Sequence, residues 1–142
     1  MRFEKVTGFN PILPIRATAN SAGYDFFALE TFVIPPKGLP ILVPTGVKAF
    51  MFDRVYLQLQ VRSSLAKKGL IMTNGVGIID ADYYNNPNNE GHIHGMFTNL
   101  SDTPITVNKG ERFMQGIFLS FFTTENDNIQ TLREGGFGST NK

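Results

Sequence analysis

The sequence predicts an all-β domain of the jelly-roll kind with one short helix and a flexible C-terminal arm. Eight Pro and 14 Gly cut most of the chain into pieces too short for helices of three or more turns. Between these breakers lie β-branched and aromatic runs, and Val55-Tyr56-Leu57-Gln58-Leu59-Gln60-Val61 alternates apolar and polar with period two. Many short strands separated by Pro/Gly turns close most readily into a double sheet, which also removes sticky edges.

In chain order, strands are predicted at Phe32-Val33-Ile34 before Pro35-Pro36, at Ile41-Leu42-Val43 before Pro44, and at Val55 to Val61. Ser63 to Gly69 offers a hydroxyl start, good helix formers and a closing Gly, enough for about two helical turns. Strands at 69–73 and 76–79 flank Asn74-Gly75, a strong signal for a tight hairpin because both residues tolerate positive φ. The Asn-rich run Asn85-Asn86-Pro87-Asn88-Asn89 reads as a surface loop. Further strands follow at Met96 to Asn99, Ile105 to Val107 and Phe113 to Phe122, the last interrupted by Gln115 and Gly116. These elements make residues 1–123 one β domain. Residues 124–142 have few apolar positions and no periodicity, and are expected to form the arm.

Hydrophobic residues make up 42% of the chain, with 13 Phe, so there is material for a core. The 13 Lys+Arg and 12 Asp+Glu are scattered, and Lys67-Lys68 is the only adjacent basic pair, which disfavours nucleic-acid binding. With no Cys the chain has no disulfide, thiolate nucleophile or cysteine zinc site. Its longest apolar segment, Phe113 to Phe122, is too short for a helix to cross a bilayer. A soluble cytoplasmic protein with no membrane association is expected.

Several residues carry chemistry in their own right. Asp80 and Asp82, at spacing two after an apolar run, share a face if the strand continues; they could bind a metal, activate water or simply be two solvated acids. Arg62-Ser63-Ser64 gathers a guanidinium, two hydroxyls and the first N–H groups of a helix, a setting for phosphate or a plain cap. His92 and His94 read as neighbours on one exposed strand face, with no third nitrogen or sulfur ligand at hand for zinc. The tail Gly135-Gly136-Phe137-Gly138-Ser139-Thr140 follows no strand and is not a dinucleotide loop. With Arg133 it suits an arm that closes over a flat base and a polyphosphate.

Taken in order, Ala22-Gly23-Tyr24-Asp25, Arg62 to Ala66, Asn74 to Tyr83, Gly110 to Gln115 and Gly135 to Thr140 resemble the five motifs of trimeric deoxyuridine triphosphate nucleotidohydrolases, the dUTPases. The resemblance spans nearly the whole chain. It implies a jelly-roll homotrimer with active sites at subunit interfaces. The reaction implied is hydrolysis of dUTP to dUMP and pyrophosphate, which keeps uracil out of DNA and supplies dUMP for dTMP synthesis. Mg²⁺ would ride on the triphosphate, with no direct protein ligand. Asp80 would be the general base. Arg62, Ser63, Ser64 and Gln115 would hold phosphates, supported by Asp25. Asn74, with the backbone around Ile78 and Ile79, would read the uracil edge, and Tyr83 would pack against deoxyribose and exclude a ribose 2′-hydroxyl. Arg133, Phe137, Gly138 and Ser139 would contact substrate from the arm, with Phe137 stacked on the base.

The chain also departs from the family pattern. Tyr84 to Gly91 replaces the usual Arg-Gly turn by a longer loop, Arg133 lies four positions before Phe137 where the family spacing is five, and Asn141 stands at the usual closing Gly. Two rival functions share the fold. A dCTP deaminase needs a catalytic Glu on the strand after the substrate hairpin, and alignment on Asn99 puts Met96 there. A nucleotide-sensing trimer would bind a regulatory protein partner, with the loop after Tyr83 as the first surface to consider.

Overall fold

The computed structural model describes residues 1–129; Arg133, Phe137, Gly138 and Ser139 of the expected arm lie outside the described residues. The strands are β1 (Arg2–Lys5), β2 (Ile15–Arg16), β3 (Tyr24–Phe27), β4 (Phe32–Ile34), β5 (Ile41–Pro44), β6 (Val47–Phe50) and β7 (Val55–Val61). After the one-turn helix α1 (Ser63–Ala66) come β8 (Leu70–Met72), β9 (Gly77–Ile79), a 3₁₀ turn at Ala81–Tyr83, β10 (His94–Asn99), β11 (Ile105–Val107) and β12 (Arg112–Ser120). They form antiparallel ladders in four small sheets, ordered β2-β3-β12-β7-β9, β5-β10-β8, β1-β6 and β4-β11.

The period-two pattern of β7 does what it predicts: Leu57 and Leu59 are fully buried, while Gln58 and Gln60 take the other face. From the opposite sheet Phe97 meets Phe113 edge to face at 5.7 Å, and Phe32 meets Phe113 in the same way at 5.3 Å. Leu70, Ile93, Met114 and Phe26 complete this centre. Each such side chain stabilises the fold by roughly 1.5–3 kcal/mol through burial. Gly116 interrupts the apolar pattern of β12 for a packing reason. A Cβ there would lie 2.8 Å from Leu57 Cδ1 and 3.0 Å from Phe26 Cε2, so the core closes directly on the backbone.

Several expectations are corrected. Asn74-Gly75 does turn, with Gly75 at φ +75, but β8 pairs with β10 and β9 with β7; the dipeptide is a corner between two sheets rather than the tip of a hairpin ladder. The helix is one turn, and the backbone after Ala66 continues as turns into Gly69 at φ +93. β12 ends at Ser120, leaving Phe121 and Phe122 outside the ladder and Phe122 almost fully exposed. The strand through Asp80 stops at Ile79, so Asp80 and Asp82 do not alternate on a strand face. Strands β1, β2, β3 and β6 carry no local strand signal because they are short and charge-bearing; Asp25 breaks the apolar run of β3. Among the described residues no helix is long and apolar enough to cross a membrane.

Candidate active site

Antiparallel register assembles the first part of the site. On β12, Gln115 stands opposite Asp25 of β3 and opposite Gln60 of β7, so all three point to one face. Arg62 is two residues beyond Gln60 and reaches the same face, its backbone tied by an N–H donated to Phe113 O at 3.1 Å. Asp25 is 5% exposed and pairs with two guanidiniums, an ion pair with Arg62 Nε at 3.0 Å and a hydrogen bond accepted from Arg112 Nη1 at 3.1 Å. One buried carboxylate thus aims one arginine and steadies another. Ser63 and Ser64 open α1 beside them, and with Gln115, Ser21 and Gly23 they line a hollow of about 240 Å³. Gly23 is needed there because a Cβ would collide with the Gln115 amide oxygen.

The second part forms at the sheet corner. A cleft of about 220 Å³ is lined by Asn74, Gly77, Ile78, Ile79, Asp80 and Tyr83, with Leu59, Met72, His94 and Met96 behind them. Gly77 forms its floor, where a Cβ would crowd Leu59 and Met72 at 3.1–3.2 Å. Asp80 leaves β9 and its carbonyl accepts the Tyr83 N–H at 3.1 Å, so the 3₁₀ turn brings both residues to the lining of one cleft. Asp82 is exposed and lines a second hollow with Asp53, Arg54 and Phe121, and Asp80 borders both.

Tyr83 is 6% exposed, and its hydroxyl donates to His92 O at 3.0 Å and accepts from Asn89 Nδ2 at 2.7 Å. The two histidines are not exposed, contrary to expectation. His92 is buried, its ring 4.2 Å from that of His94, and its Nε2 accepts the Gly46 N–H at 2.8 Å. Burial, reinforced by His94, lowers the His92 pKa to about 4, and burial also lowers that of His94. His92 is therefore a neutral structural acceptor. The Asn-rich loop is likewise no plain surface connection, since Asn86 is 4% exposed and fully bonded.

The structure thus gathers Asp25, Arg62, Ser63, Ser64 and Gln115 at one place and Asn74, Ile78, Ile79, Asp80 and Tyr83 at another. The structure adds Arg112 and His94 to the site residues. Arg112 falls inside the Gly110 to Gln115 motif, but its role was not legible because its partner Asp25 lies 87 residues away. Met96 was singled out by alignment alone, and its thioether, which carries no transferable proton, occupies the cleft wall.

The antiparallel sheets define a jelly-roll domain that carries a cleft at the sheet corner and a separate ion-paired hollow. The dUTPase family model matches residues 10–141, and the chain belongs to the dUTPase family. The deoxyuridine 5′-triphosphate nucleotidohydrolase of Lactococcus lactis subsp. lactis is 45% identical over 97% of this chain and 95% of its own length. That of Oryza sativa subsp. japonica is 36% identical over 92% of this chain and 75% of its own. The crystal structure of dUTPase from Streptococcus mutans matches with a TM-score of 0.81 and 46% identity, covering 87% of this chain and 98% of that one. The dUTPase from phage phi11 of S. aureus, at 21% identity and a TM-score of 0.73, shares the fold.

Proposed function

We propose that the protein hydrolyses dUTP to dUMP and pyrophosphate, with Asp80 as general base. The observation that carries this reading is the slot of nucleobase size that Asp80 and Tyr83 line together with Asn74 and Ile78. The Asn74 amide and the Ile78–Ile79 backbone pair with the uracil edge. Cytosine presents a donor where uracil has O4 and lacks the N3 proton, leaving groups unpaired at roughly 1–3 kcal/mol each. Tyr83 lies against deoxyribose. Water attacks the α-phosphorus in line, its proton passes to the Asp80 carboxylate, and the bond to the bridging oxygen breaks with the electron pair leaving on pyrophosphate.

Arg62, Ser63, Ser64 and Gln115 hold the phosphates. Mg²⁺ rides on the triphosphate oxygens, so Mg–dUTP is the substrate and the metal supplies charge neutralisation. In one chain, β9 and β3 are separated by β12 and β7, roughly 14 Å at ordinary strand spacing, and the two hollows share no lining residue. This division supports a homotrimer whose sites are completed between copies. Arg133, Phe137, Gly138 and Ser139 close over the substrate, and removal of residues 135–142 should preserve the trimer while sharply lowering kcat/KM. A cytoplasmic setting suits a chain without cysteine.

Pyrophosphate release from dUTP, dCTP, dTTP and UTP, measured side by side with and without Mg²⁺, tests the reading. Turnover confined to dUTP and dependent on Mg²⁺ is the expected result. Equal turnover of all four, or ammonia release from dCTP, would overturn it.

A further inference from the structure

We propose that Asn89 is a positioning residue that fixes the Tyr83 ring for selection of deoxyribose over ribose, and that the long loop after Tyr83 is built to hold it. The proposal rests on the reading of Tyr83 as the wall against the sugar. A wall that excludes one extra oxygen must not yield by even an ångström, a displacement that can cost a hundredfold in an active site, on the order of magnitude. A tyrosine held at its backbone alone can pivot about χ1 and χ2. Here the far end is fixed as well.

The phenol oxygen receives the Asn89 Nδ2 hydrogen bond at 2.7 Å and donates its own proton to His92 O at 3.0 Å. The Asn89 amide is oriented by its other end, because Oδ1 accepts from Gly91 N–H at 3.0 Å and from Asn86 Nδ2 at 2.7 Å. That leaves Nδ2 for the phenol. Asn86 then grips the opposite end of Tyr83, donating to its carbonyl oxygen at 2.8 Å, while its Oδ1 accepts the N–H groups of Asn88 and Asn89. Gly91 completes the clamp at φ +80, where a Cβ would sit 2.6 Å from the same carbonyl. The carbonyl of His92 is steadied in turn, since the His92 ring accepts from Gly46 N–H. A loop that merely joined two elements would not need to bond both ends of one aromatic residue.

The test compares kcat/KM for dUTP and UTP in the full-length chain carrying Asn89→Asp, Tyr83→Phe, or both. Asn89→Asp keeps the oxygen that serves Gly91 and Asn86 but puts an acceptor where the phenol has a donor; Tyr83→Phe removes that bond together with the one to His92, without adding charge. Each single variant should lower the preference for dUTP over UTP about tenfold, and the double variant no further, the pattern of one shared interaction. Tyr83→Ala is measured alongside. If it leaves the preference intact, the underlying sugar-wall reading fails and this proposal with it. If Tyr83→Ala abolishes the preference while Asn89→Asp and Tyr83→Phe leave it within about twofold, by the usual scatter of such comparisons, the proposal alone is overturned. Independent, multiplying effects of the two single variants would also overturn it, as would a lowered melting temperature with unchanged preference.

Discussion

The slot around Asp80 and the shelf around Asp25 hold their working groups by opposite means. The shelf is electrostatic: one buried carboxylate, reached from the strand next to Gln115, fixes Arg62 and Arg112 at 3.0–3.1 Å. The slot is built of neutral parts, with Gly77 as its floor, a 3₁₀ turn at its mouth and a tyrosine bonded at hydroxyl and carbonyl. Charges that must meet a flexible polyanion tolerate small displacements, because Coulomb attraction falls slowly with distance. A shape that must refuse a methyl or a hydroxyl does not, and it is enforced by packing and short directional bonds.

Four measurements sharpen or break this contrast. The largest effect should follow Asp80→Asn, which keeps the slot's shape but removes the proton acceptor. Turnover should drop by roughly 10²–10⁴, with dUTP binding by calorimetry retained. A variant that stays active would mean that the slot only binds.

Asp25→Ala, at the other region, should leave two guanidiniums without their counter-charge. We expect a loss of about 2 kcal/mol in urea denaturation, less than for a fully buried pair because both arginines stay partly in water. It should also raise KM, since Arg62 is no longer aimed. An unchanged KM would break the assignment of that shelf to phosphate.

The neutral scaffold behind the slot should respond to acid. His92 titrates at about 4 in the fold against an ordinary 6.5, so the unfolded chain takes up its proton first as pH falls. Stability attributable to His92 is complete above pH 6.5, declines below it and is gone once pH passes about 4. His92→Gln, which keeps an acceptor for Gly46, should flatten melting temperature against pH over that window. Glu4, Glu90 and Glu111 are held below their ordinary values by hydrogen bonds from Tyr84, Lys48 and Asn108, and add their own losses only further down the scale.

The smallest effect is expected from Gly23→Ala, whose new methyl would press on the Gln115 amide oxygen. A two- to fivefold rise in KM with little change in stability is the expected order of magnitude for one displaced neutral hydrogen-bonding group. If kcat/KM is unchanged, Gln115 does not work from the position it occupies here.

How much of this was readable from the chain differs by residue. β4, β7 and β11 follow from their own neighbours, because period two and flanking Pro or turns are local signals. The Asn74-Gly75 turn was equally visible, yet its neighbours' partners were not; β8 and β9 join different sheets because β10 and β7 compete successfully for them. The Asn-rich loop read as surface by composition. Its Asn86 is buried because the loop folds back on Tyr83, and a single sequence does not disclose that its amides satisfy one another.

The sequence by itself determined the β class, the break at the Gly-rich corner and the order of the motifs, all properties of residues close together along the chain. Tertiary structure alone decided that Gln115 faces both Asp25 and Gln60, that Arg112 shares a carboxylate with Arg62, and that His92 is kept neutral by burial while its ring accepts the Gly46 N–H. Those outcomes depend on partners brought together across long loops. A buried polar group has a fixed need for a hydrogen bond, but which distant segment supplies it is settled when the sheets close around a common core.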